Sequence, residues 1–423
     1  IMVEIIAYSD ENAYTIFETM NDRGLNLTPS EMLKGFVLSR FDSSAKRNKA
    51  NELWKDAMVM LKAYEKDEDQ RFFQSWLRAR YADSIRPGKA GSKNEDFEKI
   101  GTRFHSWVRD NLAKVGLDAE QGETFENFVQ KDFSFYLKAY LRILEAEKNL
   151  TPGLEHVFYI RHWGIAPTLS FPLMLASLNT DDSDETVARK IDTLAAYIET
   201  FVVRRSVNFR NFSASSIRYT MYSLVKEIRG KDLASLQAVL TQKLQDMKES
   251  FDGLDKFRMH GQNKRFVKFL LARMTAWCEQ QAGMSSNFVT YYAPSSGKPF
   301  EVEHILADKF LRHKDQFEQE NEFQNYRNRL GGLVLLPRGT NQSYGDLPYE
   351  DKQTHYIKEN LLVKSLCSLA YENNPNFLGL NKRMNQVFQP HAVFKKQHVD
   401  ARQQLYRAMC EQIWPEQLVT EMD

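Results

Sequence analysis

The sequence predicts a mainly α, multi-helical protein with a small β-containing segment near its C-terminus. Through the first 285 residues, apolar side chains recur at helical spacing, while Gly and Pro are scarce inside those runs and gather between them. Near residue 285 the texture changes to short runs rich in β-formers. At 423 residues the chain is too long for one ordinary core, so two or three domains are expected.

The elements follow in order. Thr28-Pro29-Ser30-Glu31 reads as a capping box with Pro at the first helical position, opening an apolar run through Met32, Leu33, Phe36, Val37 and Phe41. Leu137, Tyr140, Leu141 and Leu144 form a helical stripe, as do Leu194, Tyr197, Ile198 and Phe201. Pro87-Gly88 and Thr151-Pro152-Gly153 punctuate these runs, and Lys89 to Asp96 is the most polar connector. Asn287 to Tyr292 is rich in β-formers and precedes the turn signal Ala293-Pro294-Ser295-Ser296-Gly297. Phe300 to Leu306 and Leu333 to Leu336 are two further short apolar runs, the second closed by Pro337. A charged stretch, Asp308 to Tyr326, has helical character, and Gln403, Leu405, Tyr406 and Met409 give a weak terminal stripe.

Composition narrows the class. Hydrophobic residues are 42% and charged residues 27%, the balance of a soluble globular chain. No stretch reaches the ~18 to 20 apolar residues that span a bilayer, and the start carries no secretory signal, so no membrane partner and a cytoplasmic location are expected. Cys278, Cys367 and Cys410 are far apart and odd in number, which suits a reducing compartment and offers no CxxC zinc site. A net charge of +1 gives no global pull toward nucleic acid, so any such attraction is local. The chain opens with Ile, and its first motif stands within 25 residues, which suggests a piece of a longer protein.

Phosphodiester hydrolysis needs a base for the attacking water and positive charge at the leaving oxygen. Glu303-His304 ends a β-run, and Asn341 lies five residues beyond the Leu333–Leu336 run. A histidine base with carboxylate and amide oxygens for Mg²⁺ or Mn²⁺ would meet both needs. Neighbouring strand residues face opposite ways, however, so Glu303 and His304 reach one ion only where the backbone turns. Asn341 is equally placed to cap a helix.

Val302-Glu303-His304-Ile305, then Tyr326 to Leu336, then Asn341-Gln342-Ser343, together resemble the HNH nuclease domain of GmrSD-type modification-dependent restriction endonucleases. The resemblance implies a small ββα-metal fold around one divalent ion. It implies His304 as general base, Glu303 and Asn341 as metal ligands, and Asn328 and Arg329 holding the turn into the second strand. Asn328 thereby joins His304 in the expected catalytic set. It further implies Ser343 supporting the site, and Lys352 and Arg329 meeting phosphate. Two departures stand out: Gly332 replaces the family's middle Asn, and Ala307 stands where Pro is common.

Ala13 to Lys34 resembles the closing part of the nucleotide-binding module such enzymes carry first, although Asn21-Asp22-Arg23-Gly24 is also a good turn. The expected domains are therefore 1–43, the closing helices of that truncated module; 44–284, a helical middle; and 285–423, the nuclease domain with C-terminal helices. Arg204, Arg205 and Arg210, interleaved with Phe209 and Phe212, suit a DNA backbone groove or, equally, a solvated helix face. His313 and His355 read as surface residues. The partner implied is double-stranded DNA, foreign or modified, and a homodimer is admitted. The rival reading is a non-catalytic DNA-binding or assembly module in which Gly332 marks a decayed site. A nucleotide hydrolase is disfavoured, because no GxxxxGK[ST] loop is present.

Overall fold

The computed structural model describes residues 27–286, 288–293 and 299–418. It is mainly helical, as the periodicities predict, and its described residues form two compact units. One holds the described residues up to Glu199 with Phe212–Gln242 and Leu418; the other holds Thr200–Asn211 and Lys243–Gln417. The module-like segment Ala13 to Gly24, Asn287 and the turn Pro294–Gly297 lie outside the described residues. Among the described residues, no helix is long and apolar enough to cross a membrane.

In the first unit, Thr28 caps α1 (Pro29–Ser39) in the expected capping box, the Thr28 hydroxyl and the Glu31 carboxylate each taking an orphan amide. Helices α2 (Glu68–Tyr81), α3 (Ser134–Lys148) and α4 (Pro167–Ala176) follow. Their core is aromatic: Trp54 stacks on Phe133 at 4.8 Å, and Phe72 meets Tyr140 edge-on at 5.3 Å. Leu137, Tyr140 and Leu144 are buried as their spacing requires. Leu194, Tyr197 and Ile198, on the part of α5 (Asp184–Val207) that lies in this unit, are buried too, as is Phe201 on the part assigned to the second. Helix α6 (Ala214–Ile228) completes the set needed here.

The second unit carries the β structure. Helix α7 (Lys264–Gln281) buries Val267, Leu270, Leu271 and Met274. Phe288–Tyr292, rich in β-formers, is the short helix α8 rather than a strand. Phe288 packs on Phe269 of α7 at 4.9 Å, and Phe288 and Tyr292 stack at 4.8 Å, an i,i+4 pairing available only to a helix. Strand β1 (Phe300–His304) runs antiparallel to β2 (Leu333–Pro337), with His304 opposite Leu333 and Phe300 opposite Pro337. Of the charged stretch joining them, only the 3₁₀ turn Phe310–His313 and α9 (Glu320–Arg327) are helical. Helix α10 (Arg338–Tyr344) follows β2 directly, then α11 (Tyr349–Tyr356). Behind the strands Ile305, Phe317, Phe323, Val334, Leu336, Tyr356 and Val399 form one core cluster.

The terminal helix α12 (Lys396–Ile413) explains its own weak stripe, because it buries polar residues along with apolar ones. Gln403 accepts the Gly331 amide at 2.6 Å and donates to the Leu254 carbonyl, while the Tyr406 hydroxyl donates to Leu333 O at 2.9 Å. A Cβ on Gly331 would fall on the Val399 carbonyl and the Gln403 amide, so only glycine lets the two backbones meet.

Candidate active site

His304 ends β1 with its ring half-buried. Its Nε2 lies 3.0 Å from Asn328 Oδ1. Asn328 caps the C-terminus of α9 and donates its Nδ2 to Gln324 O at 2.8 Å, while its own backbone carbonyl accepts from the Met259 amide at 2.7 Å. With Nδ2 spent on a carbonyl, Oδ1 must be the atom facing the ring, and Nε2 must be the protonated nitrogen. The lone pair is then on Nδ1, which has no hydrogen-bond partner among the described residues. Burial, and next the charge of Arg327, pull the His304 pKa down to about 4 against the Asn328 hydrogen bond, so the ring is neutral near pH 7.

Gly332 has a local cause. A Cβ there would stand 3.1 Å from the Arg327 carbonyl, so an asparagine would crowd the α9 terminus. Asn328, four residues earlier, supplies the side-chain amide at the histidine.

Glu303 does not share the pocket with His304. Its carboxylate, 3% exposed, points to the other side of β1 and accepts from Lys352 Nζ at 2.5 Å. Lys352 is fully buried and also donates to His304 O at 2.9 Å and Ile305 O at 3.4 Å. Burial raises the Glu303 pKa and lowers that of Lys352, each opposed by the partner's charge. Lys352 therefore holds the strand end and has no ammonium surface to offer a phosphate.

An open pocket of about 650 Å³ is lined by His304, Glu301, Asn341, Lys264, Arg265, Lys268, Met259 and Tyr292 among others. Asn341, on α10, sets its Nδ2 3.5 Å from Glu301 Oε2, and Arg338 approaches the same carboxylate at 3.3 Å. Sequence reasoning brought His304, Asn328 and Asn341 to this region but missed Glu301 and the three α7 cations. The signal for the cations was their i, i+1, i+4 spacing at the start of a strongly apolar helix.

The basic-aromatic stretch divides. Arg204 is 3% exposed and bound to Leu244 O and Glu416, so it cannot meet a duplex. Arg205 reaches Asn211 O and Glu249, and exposed Arg210 lies 3.7 Å from that same Glu249. Arg329 pairs with Asp400 at 2.7 Å and lies over the Tyr326 ring. The Ser343 hydroxyl bonds back to Gly339 O within its own helix. His313 and His355 are half-buried ring-stackers, on Phe323 and Tyr344, rather than open surface residues.

Among the described residues, no group of three or more His, Cys, Asp or Glu side chains is placed to hold a metal ion. The donors in the pocket are hard oxygens, the Glu301 carboxylate and the Asn341 amide. That set suits a Mg²⁺-like ion that keeps several waters and takes a substrate phosphate.

A neutral imidazole, oriented by an amide and lining a cation-rimmed pocket, is chemically able to accept a proton. Residues 223–407 match the family of GmrSD restriction endonucleases, C-terminal domain, and that part of the chain is similar to it. That similarity suggests a restriction-endonuclease role, with DNA as the substrate. No curated protein matches the chain.

Proposed function

We propose that the chain is an HNH-type, divalent-metal-dependent DNA endonuclease that restricts foreign or modified duplex DNA in the cytoplasm. The observation that carries this reading is the His304–Asn328 hydrogen bond, which leaves Nδ1 as an available base in a residue lining the pocket. A water molecule gives its proton to Nδ1 and attacks phosphorus, and the bond from phosphorus to the leaving oxygen breaks. Asn328 keeps the ring in the tautomer this requires. Glu301 and Asn341 would hold the cation, and Glu303 braces β1 through Lys352. A bound Mg²⁺ or Mn²⁺ would supply positive charge at the phosphate and the leaving oxygen.

Plasmid nicking in Mg²⁺ or Mn²⁺ tests the mechanism. His304→Ala is expected to lose ~10²- to 10⁴-fold in rate, and EDTA to abolish cleavage. Full activity in either case would sink it. In calorimetric titration with Mn²⁺, Asn341→Ala and Glu301→Gln are expected to weaken binding; unchanged binding would reduce Asn341 to a structural role. The non-catalytic reading draws on the engagement of Glu303 by Lys352 and on the sparse donor set. Wild-type protein that binds DNA but never nicks it would select that reading.

A further inference from the structure

Helix α7 puts three cations on the wall of the His304 pocket: Lys264, Arg265 and Lys268. Val267, Leu270, Leu271 and Met274 are buried against the second unit's core, so the helix cannot roll these cations away. Lys264 and Lys268, four residues apart, repel each other, and the first turn of the helix carries no acidic residue. Among the described residues none of the three forms an ion pair. Arg265 donates Nε to the Tyr292 hydroxyl at 3.0 Å, and Lys268 Nζ lies 5.6 Å from the Tyr292 ring. Other lysines of the same unit are matched with carboxylates, Lys309 with Asp346 at 3.2 Å and Lys395 with Asp315 at 3.4 Å. The pocket therefore sets three cations against one carboxylate, Glu301. A concave cationic wall beside a neutral histidine is complementary to a polyanion passing through the site.

We propose that Lys264 and Lys268, flanking an Arg265 braced on Tyr292, hold the phosphodiester backbone of the duplex DNA strand presented to His304. This rests on the nuclease reading and names the residues that position its substrate. They neutralise phosphates without reading sequence, since ammonium groups carry no base-specific pattern.

The test measures duplex binding over a salt series by fluorescence anisotropy, in EDTA and on a His304→Ala background that leaves DNA intact. Lys264→Ala/Lys268→Ala is expected to flatten the slope of log K against log salt by ~1.8, that is ~0.9 for each phosphate no longer neutralised. Lys264→Arg/Lys268→Arg should restore the slope. Lys309→Ala/Lys395→Ala, which removes equal charge from ion-paired positions, should leave it unchanged. With His304 intact, the alanine pair should raise KM far more than it lowers kcat. A wild-type slope in the alanine pair overturns the assignment and leaves the nuclease reading standing. So does an equal loss in the ion-paired control, which would make the effect one of net charge. Full cleavage by His304→Ala, by contrast, strikes the role of His304 as base and leaves the phosphate contacts to be judged by the salt slope.

Discussion

Replacing Lys352 with methionine keeps the length of the side chain and deletes its ammonium, leaving the Glu303 carboxylate buried without its partner. Lys352 is fully buried and Glu303 is 3% exposed, so water cannot take over the pairing. Breaking one side of a buried ion pair costs ~3 to 5 kcal/mol, because an uncompensated charge remains. The His304 and Ile305 carbonyls also lose a donor, at ~1 kcal/mol each. Global melting is a poor reporter, because two compact units need not unfold together. Native-state hydrogen exchange at the β2 amides, Leu333 to Leu336, reads the affected strand directly. A loss of ~3 to 5 kcal/mol corresponds to exchange faster by about 10²- to nearly 10⁴-fold. The double variant Glu303→Gln/Lys352→Met removes both charges and should recover most of that loss. If the single variant exchanges within about threefold of wild type, or the double variant is no better than the single, the pair does not brace the strand.

Three further outcomes are expected. Asn328→Ala should lower kcat by ~10- to 100-fold, as loss of an orienting partner to a functional histidine commonly does. Asn328→Asp sets a carboxylate against Nε2, favours the imidazolium, and should move the acid limb of the pH–rate profile upward from about 4; an unmoved limb would refute the pairing. Glu147, on α3, is raised from 4.5 to about 7, chiefly by burial. A raised folded-state pKa gives stability that is full below the unfolded value and lost as pH climbs through about 7. Wild type should therefore be less stable at pH 9 than at pH 5 by ~2 kcal/mol relative to Glu147→Gln, from ~1.4 kcal/mol per unit reduced for partial exposure. Parallel thermal melts of the two proteins check this, and equal pH dependence would dismiss Glu147 as the cause.

The parts of the molecule legible in the sequence are those governed by short-range rules. The capping box at Thr28, the apolar stripes of α3 and α5 and the two β-runs each depend on neighbours within a few residues, and each is found. What escaped depends on packing between distant segments. Strand alternation warned that Glu303 and His304 face apart, but nothing near Glu303 announced that Lys352 would close on it from 49 positions away. Arg204 sits among aromatics in a pattern shared by DNA-binding grooves and by buried helix ends, and burial alone separates the two. Phe288 to Tyr292 has the composition of a strand, yet its rings find their partners on α7 as a helix. Burial of the polar side chains Arg402 and Gln403 blurs the α12 stripe, because their partners include the Leu362 and Leu254 carbonyls and the Ser365 hydroxyl, far off in the chain.

The grip of α12 on the Gly331–Leu333 turn also sets the order in which the site can be built. Gln403 and Gly331 are 72 residues apart, as are Tyr406 and Leu333 within one position. During synthesis the segment bearing His304, Asn328 and Asn341 leaves the ribosome well before the helix that clamps its turn. At ~5 to 20 residues per second the delay is several seconds. Until α12 docks, the Gly331 amide and the Leu333 carbonyl lack their buried partners, and β2 has no cover on that side. The turn beside His304 is therefore unclamped until the chain has been made through Ile413, so a product released short of α12 would carry His304, Asn328 and Asn341 without the helix that holds that turn.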